Sequence, residues 1–274
     1  DYNGKRLIED IDISSGDGTY YFKMPAVRLV TLGVETKMVD TAHKHGIRIV
    51  MDIVMNHTGY NNLLDMKQYG YGTLKSGYES YLYKLTDVGG MHNYIDYNSS
   101  SSDWGKWWGS GWIRSGLPGY SEGGGDLTGS LSGLPDFKTE STASVGIPEI
   151  LKTKWTKEGT YSAKVAKYGS SGTVSDYLVK WLAEWVETYG VDGFRFDAAK
   201  HISVPDEGSQ YNFWPTVLGA ATSHAQSTKN FTPYYYGEVL YQTTEGGGPA
   251  ITSYTKYMSV TDDSTGNGIR GAVN

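Results

Sequence analysis

The sequence predicts an α/β fold, a (β/α)8 barrel of the TIM type that carries a long inserted loop domain. Helix-then-strand units occur twice along the chain, which favours parallel strands with covering helices. Three strand-like apolar runs, Ile47–Val54, Val191–Ala198 and Tyr234–Leu240, also carry polar side chains near their C-terminal ends. In a barrel of parallel strands these ends meet on one face, where active sites are built. The sequence therefore predicts a functional site at that face.

The first helix-then-strand unit begins with residues Glu35–His45. Met38, Val39 and Ala42 recur there at helical spacing. Gly46 is placed as the residue that ends the helix, because glycine adopts left-handed backbone angles without a steric cost. The strand Ile47–Val54 follows directly.

The second unit contains the strongest predicted helix, Asp176–Tyr189. Either Ser175 or Asp176 is expected as its N-cap, and Gly190 as the residue that ends it. The strand Val191–Ala198 follows. The apolar stripe of this helix consists of Tyr177, Trp181, Leu182, Trp185, Val186 and Tyr189.

A long segment separates the strand that ends near His57 from the second strand. It is too long and too rich in glycine and serine for a simple crossover helix. Residues Asn98–Trp112 and Ser121–Gly133 have the composition of irregular loops, but a plain linker would not need so many tryptophans. We expect an inserted loop domain over residues 58–174, and a partial catalytic barrel over residues 1–57 and 175–274.

The amino-acid composition argues against several classes of binding partner and of site. The 274-residue chain has a formal net charge of −6, which argues against nucleic acid and membrane surfaces, because both require a basic face. It has no cysteine, which excludes disulfides and thiolate metal sites. No apolar stretch reaches the roughly 18 residues of a membrane-spanning helix. Aromatic residues make up 14% of the chain, and their flat rings suit sugar rings, although most are expected to serve the core and loops.

Residues Gly193–His201 place a charged pair where a buried strand is ordinarily apolar. Because strand side chains alternate between faces, Arg195 and Asp197 project to one side, and Phe194 and Phe196 to the other. An arginine two residues before an aspartate keeps the carboxylate ionised and oriented, as a nucleophile or an electrostatic stabiliser requires. A structural ion pair is the alternative interpretation.

Glu238 supplies a second carboxyl group, within the third strand-like run. It follows three tyrosines and precedes Val239 and Leu240, a setting expected to favour the protonated acid. Retaining glycosidases use one ionised and one protonated carboxyl, about 5–5.5 Å apart. Asp197 and Glu238 fit these two roles, although Glu238 taken alone is better explained as an exposed acid at a strand end.

Four sequence blocks, in this order, resemble those of the α-amylase superfamily, glycoside hydrolase family 13. They are DIVMNH, LPDFKTE at Leu134–Glu140, GFRFDAAKH and GEV. The longer runs NHTGY, WGKWWGSGWIR and LPDFKTEST are most similar to the periplasmic type of bacterial α-amylase. The resemblance covers roughly Gly33 to Leu240, and it implies a barrel whose loop domain follows the third strand.

The resemblance implies a retaining, endo-acting α-1,4-glucan hydrolase that acts on starch, glycogen or maltodextrins. It assigns Asp197 as the nucleophile that forms a glycosyl intermediate, and Glu238 as the proton donor and later the base. Arg195 orients the nucleophile. An α-glucan transglycosylase of the same superfamily and a non-catalytic glycan-binding protein with an amylase-like fold stay open as alternatives.

The resemblance also implies further substrate contacts. His57 corresponds to a contact with the sugar that is cleaved, and Lys200 with His201 to the leaving-group side. Asp52 is expected to hold the hydrogen-bond network of the site. The tryptophans expected to wall the sugar cleft are Trp104, Trp107, Trp108 and Trp112.

A calcium ion is the expected cofactor. By resemblance, the amide of Asn56, the carboxylate of Asp136 and the backbone carbonyl of His201 share one Ca²⁺. Calcium prefers hard oxygen ligands of this kind. Its role would be structural, holding the loop domain to the barrel and shaping the cleft.

The expected partner is an α-glucan, the expected state a monomer, and the expected location extracellular or periplasmic. Eight strands need about 250 residues before insertions, and the loop domain already uses nearly half of the chain. We therefore expect the chain to be part of a longer protein. A third acid, in a His-Asp pair, is expected downstream of Asn274.

Overall fold

A computed structural model describes most of the C-terminal two thirds of the chain and shorter parts of the rest. Trp104 and Trp107, two of the tryptophans predicted to wall a cleft, lie outside the described residues. The described residues are 10–12, 21–23, 32–58, 75–77, 96, 108–117, 120–121, 123–131, 134–208, 212–240, 243–261 and 270–272.

A four-stranded parallel sheet organises the described residues. Its strands lie in the order β10 (Ser259–Val260), β9 (Tyr234–Gly237), β8 (Gly193–Asp197) and β3 (Val50–Val54). The three predicted strands are all present, and each is shorter than expected. The parallel sheet and its helices confirm the α/β class, while closure into an eight-stranded barrel and the division into two domains stay predictions.

The helices that cover the sheet lie where the apolar patterns placed them. The predicted first helix is α1 (Leu32–Lys44), and Gly46 follows it with a φ of 72°. Val39 of this helix is buried, but Met38 is 52% exposed, so Met38 does not belong to the buried stripe. The remaining helices are α2 (Gly125–Thr128), α3 (Glu149–Lys157), α4 (Tyr161–Tyr168), α5 (Val174–Glu184), α6 (Phe213–Lys229) and α7 (Ala250–Tyr254).

The helix α5 begins two residues earlier than predicted. Its N-cap is Thr173, not Ser175 or Asp176, because the Thr173 hydroxyl accepts from the Asp176 backbone N–H at 3.1 Å. The Asp176 carboxylate in turn accepts from the Thr173 backbone N–H at 2.8 Å, which completes a capping box. The helix widens into a π-turn over Trp185–Tyr189 and ends at Gly190, as predicted.

Short antiparallel ladders connect the remaining segments. They are β1 (Asp10–Asp12) with β2 (Tyr21–Lys23), β4 (Ser115–Leu117) with β5 (Tyr120–Ser121), and β6 (Val145–Gly146) with β7 (Ser171–Gly172). Two 3₁₀ turns, Ala199–His201 and Pro205–Glu207, follow β8. The first of these turns carries the residues that close the GFRFDAAKH block.

The two faces of β8 differ as the alternation predicts. Phe194 and Phe196 are fully buried, and Phe196 packs against Trp214 of α6 with ring centroids 4.9 Å apart. Arg195 and Asp197 lie on the opposite, partly exposed face. The apolar side chains therefore fix the strand against the helices and leave the charged ones on the accessible side.

Candidate active site

The strand register brings the polar side chains of three strands together. Asp52 of β3 pairs with Arg195 of β8, which pairs with Tyr236 of β9. Val54 pairs with Asp197 in the same way. Because side chains at paired positions project to the same face, Asp52 lies beside Arg195, and Asp197 lies one step further toward the C-terminal edge.

The guanidinium of Arg195 joins three carboxylates. Its Nη1 donates to Asp52 Oδ1 at 2.9 Å and to Asp197 Oδ1 at 2.7 Å, and its Nη2 lies 3.1 Å from Glu238 Oε1. Burial would lower the pKa of Arg195, but the hydrogen bonds to Asp52 and Asp197 and the charge of Glu238 raise it. The guanidinium is therefore a permanent cation at the centre of the group, which we call the Arg195 cluster.

The setting of Glu238 differs from the one predicted. Instead of an apolar environment, Glu238 Oε1 faces the Arg195 guanidinium, and Oε2 accepts from the Ala198 backbone N–H at 3.1 Å. Its side chain is 24% exposed. Val239, the apolar residue that follows it, is buried, whereas the Glu238 side chain lies beside the Arg195 guanidinium. The apolar setting predicted for Glu238 is therefore wrong.

The backbone turns sharply after Asp197. Ala198 has φ 51° and ψ 33°, the left-handed conformation that residues other than glycine rarely adopt. The turn directs the Ala198 N–H to Glu238, and it starts the 3₁₀ turn that carries Lys200 and His201. Strained backbone of this kind is common beside functional groups.

His57 lies close to the Arg195 cluster and is 8% exposed. Burial lowers its pKa more than the nearby charge of Asp197 raises it. The imidazole is therefore neutral near pH 7, so one ring nitrogen donates and the other accepts. Its Nδ1 lies 3.1 Å from Asn56 Oδ1.

A second group of polar side chains is buried, and we call it the Asp136 cluster. The Asn56 side-chain amide lies 3.1 Å from Asp136 Oδ1 and 3.0 Å from the His201 carbonyl oxygen. Arg114 Nε donates to Asp136 Oδ2 at 3.0 Å, and its Nη2 also contacts Glu140. The structure thus brings together the three residues that were predicted to bind calcium.

The Asp136 cluster has the chemistry of a hard-cation site. Burial raises the pKa of Asp136 to about 7, although Arg114 and Asn56 lower it, so added positive charge is favourable there. Turning the Asn56 amide over would direct a third oxygen to the same point, and the orientation of such an amide is set by its partners. Within the described residues, no three His, Cys, Asp or Glu side chains form a metal-binding group, so any ion there would depend on amide and carbonyl oxygens.

The remaining residues that were predicted for the site differ in how exposed they are. The Lys200 side chain is only 6% exposed and its ammonium pairs with Asp126, a residue that the sequence did not single out. Asp52 is 66% exposed, which suits a residue that holds hydrogen bonds at the rim of the site.

Trp112 is 2% exposed and donates to the Gly146 carbonyl oxygen, so it belongs to the core. The prediction that Trp112 walls a cleft is wrong. Trp108 lines a groove of ≈ 430 Å³ together with His57.

Arg114 was also missed by sequence reasoning. It lies 22 residues before Asp136 in a loop-like segment, and no local pattern pairs the two. Backbone contacts between the two segments bring them together, among them the bridge between Ile113 and Phe137 and the hydrogen bond from the Arg114 N–H to the Asp136 carbonyl oxygen. The signal that could have found it is its place in the WGKWWGSGWIR run, next to a buried isoleucine.

Comparison with known proteins identifies the relatives of this chain. It is 42% identical over 180 residues to the periplasmic α-amylase of Escherichia coli strain K12, which covers 61% of this chain and 26% of the relative. It is 26% identical over 241 residues to an α-amylase of Clostridium acetobutylicum, which covers 86% of this chain and 22% of the relative. The chain is therefore similar in sequence to α-amylases. The matches thus span about a quarter of the length of these two relatives.

Two further comparisons add little. None of the protein-family models compared matches the chain. A solved α-amylase from Anoxybacillus matches 85% of this chain and 34% of its own, at 20% identity and a TM-score of 0.41. A structural match of that quality supports no conclusion about this chain. The similarity to α-amylases therefore rests on sequence identity.

Proposed function

We propose that this protein is a retaining, endo-acting α-1,4-glucan hydrolase of the α-amylase family. The observation that carries the proposal is the Arg195 cluster, in which one guanidinium contacts both Asp197 and Glu238. Two carboxylates that share one guanidinium lie close together, in keeping with the short separation of about 5–5.5 Å that retaining enzymes use. The composition and the net charge of −6 suit a neutral sugar polymer.

The chemistry divides between the two acids. The Asp197 carboxylate, held by Arg195 at 2.7 Å, attacks the anomeric carbon, and the glycosidic C–O bond breaks as Glu238 gives its proton to the departing oxygen. Glu238 then removes a proton from water, which attacks the glycosyl–Asp197 ester and releases a sugar of retained configuration. Neutral His57 donates a hydrogen bond to the sugar that is cleaved.

A calcium ion held by Asn56, Asp136 and the His201 carbonyl belongs to the proposal. The positive charge of the ion would balance the negative charge of the buried Asp136 carboxylate, and the ion would take no part in bond cleavage. The relative from Escherichia coli is a periplasmic protein by name, and we propose a periplasmic or extracellular location here as well. Among the described helices, none combines the length and the apolarity needed to cross a membrane.

The test compares Asp197→Asn and Glu238→Gln with a matched control, Asp192→Asn. Asp192 immediately precedes the strand β8, and it also pairs with an arginine, Arg48, at 2.7 Å. We expect the first two variants to lose at least about 10³-fold of the reducing-end release from soluble starch, because each removes a group that takes part in bond making. The control should retain near wild-type activity.

Two further readouts test the finer parts of the proposal. Proton NMR of the first product should show the α-anomer, and iodine staining should fall faster than reducing ends appear. Full activity of Asp197→Asn would contradict the assignment of the nucleophile. Product transfer to added maltose in place of water would favour the transglycosylase.

A further inference from the structure

A short glycine-rich segment, residues 123–129, lies against the 3₁₀ turn that follows Asp197, and we call it the strap. The Asp126 carboxylate pairs with the Lys200 ammonium. The Asp126 carbonyl oxygen lies 2.8 Å from His201 Nδ1, the geometry of an N–H donor to a carbonyl. The strap is thus held to both residues that were expected on the leaving-group side.

The other side of the strap is held by Glu245. The Glu245 carboxylate accepts from the Leu127 backbone N–H at 2.7 Å. Gly125 has a φ of 69°, and a Cβ at that position would lie 2.5 Å from Glu245 Oε1. Glycine is therefore required there, both for its backbone angle and for the close approach of the carboxylate. The strap is fixed from two sides, which holds Asp126 in place.

The two partners of the ion pair differ in exposure. The Lys200 side chain is 6% exposed, whereas the Asp126 side chain is 33% exposed. The ammonium is therefore covered, and the carboxylate faces the accessible side. What this part of the site presents to a ligand is an anionic acceptor and not a cationic donor.

The pair lies beside the segment that carries the proposed proton donor. The Lys200 backbone N–H donates to the Glu238 carbonyl oxygen at 3.3 Å, so the turn that carries Lys200 is joined to the backbone of Glu238. Under the proposed function, Glu238 protonates the oxygen of the departing sugar. The strap therefore lies next to the segment at which the leaving group would depart.

We infer that Asp126 is a substrate-binding residue for the glucosyl units on the leaving-group side, and that buried Lys200 holds its carboxylate in place. This inference rests on the proposed function. A carboxylate accepts hydrogen bonds through two oxygens and offers no donor, so it suits adjacent sugar hydroxyl groups, which donate. Hydrogen bonds to a charged acceptor are the stronger kind, and a site built on them loses most when the charge is removed.

The test is the variant Asp126→Asn, measured on two substrates. A linear maltooligosaccharide places glucosyl units on the leaving-group side, whereas a nitrophenyl α-maltotrioside cleaved at its aryl bond places only the aryl group there. We expect kcat/KM on the maltooligosaccharide to fall about tenfold, mainly through KM, with a smaller loss on the aryl substrate. The ratio of the two values should fall at least about fivefold.

The direction in which this ratio changes shows whether Asp126 or Lys200 contacts the sugar. If Lys200 were the sugar contact, Asp126→Asn would remove the opposing charge from its ammonium, and the ratio would hold or rise. That result overturns the inference. Asp206→Asn is the control, because it breaks a carboxylate–lysine pair with Lys256 elsewhere in the protein, and it should leave the ratio unchanged.

Two further measurements distinguish a failure of the inference from a failure to fold and from a failure of the proposed function. Should Asp126→Asn unfold, the double variant Asp126→Asn with Lys200→Met avoids a buried charge that lacks its counterpart. The double variant should show the same fall in the ratio, and a wild-type ratio in it also overturns the inference. Wild-type protein that cleaves neither substrate overturns the proposed function and the inference with it, whereas equal losses on both substrates overturn the inference alone.

Discussion

The Arg195 cluster and the Asp136 cluster use the same chemistry in opposite surroundings. The first pairs an arginine with three carboxylates, and the second pairs an arginine with two. Asp52 in the first is 66% exposed, whereas Asp136 in the second is 2% exposed at its side chain. Burial raises the pKa of Asp136 to about 7 even against Arg114.

The difference lies in what each arginine does. In the accessible cluster, water and substrate can replace one contact of Arg195 while the others hold. In the buried cluster, nothing replaces a lost contact, so each group depends on the others for stability. Exposure thus separates a group of charges suited to reaction from one suited to holding two segments together.

The largest expected effect is on activity, from Arg195→Met. Three carboxylates would lose their shared cation, and we expect kcat/KM on maltooligosaccharides to fall about 10³-fold. The matched control is Arg48→Met, an arginine with a 77% exposed side chain that pairs with Asp192 at the other end of β8. An Arg195→Met enzyme within about threefold of wild type would show that the cluster is not the reaction centre.

The next effect is on stability, from Arg114→Met. Removing one partner of a buried ion pair costs about 3–5 kcal/mol, because it leaves the other charge buried without compensation. Urea unfolding should show this loss in the free energy of unfolding. Lys152→Met is the control, since its pair with Glu149 is exposed and worth under about 1 kcal/mol. Equal losses in the two variants would remove the contrast between buried and exposed pairs.

Calcium should act on the Asp136 cluster and not on the Arg195 cluster. An ion that binds the folded state alone at 100 times its Kd stabilises it by about 2.7 kcal/mol. We expect a chelator to lower the Tm of wild-type protein, and Asp136→Asn to remove this response while Asp52→Asn retains it. An unchanged Tm after chelation, with no metal in elemental analysis, would contradict the site.

The smallest effect concerns pH and a third group of charges, around Asp192. Burial would raise the pKa of Asp192, but hydrogen bonds from the Ile49 N–H, His43 and Arg48 lower it below 3.8. A lowered pKa contributes stability that is complete above the unfolded value and is lost as pH falls through the folded value. Acid titration of stability below about pH 4 should therefore be shallower in Asp192→Asn, by under about 1 kcal/mol after solvent screening.

Local patterns predicted what depends on neighbours in sequence. Alternation placed Arg195 and Asp197 on one face, and helical spacing with Gly190 located the end of α5. The N-cap at Thr173 was missed, although it could have been predicted, since a threonine three residues before Asp176 is the pattern of a capping box.

What depends on distant contacts could not be predicted. The neighbours of Glu238 were taken from adjacent residues, but its partner is Arg195, 43 residues earlier on another strand. The pairing of Asp126 with Lys200 spans 74 residues and has no local signal. Both contacts follow from strand register and loop path, which a single sequence does not specify.

The register of β8 links the reaction centre to the hydrophobic core through the same five residues. Phe194 and Phe196 anchor one face, and Arg195 and Asp197 supply the other, so a one-residue insertion or deletion would exchange them and bury the charges. We therefore expect this segment to tolerate substitutions and not changes of length. New substrate preferences are more readily acquired in the loops beyond the strand ends, where length can change without disturbing that alternation.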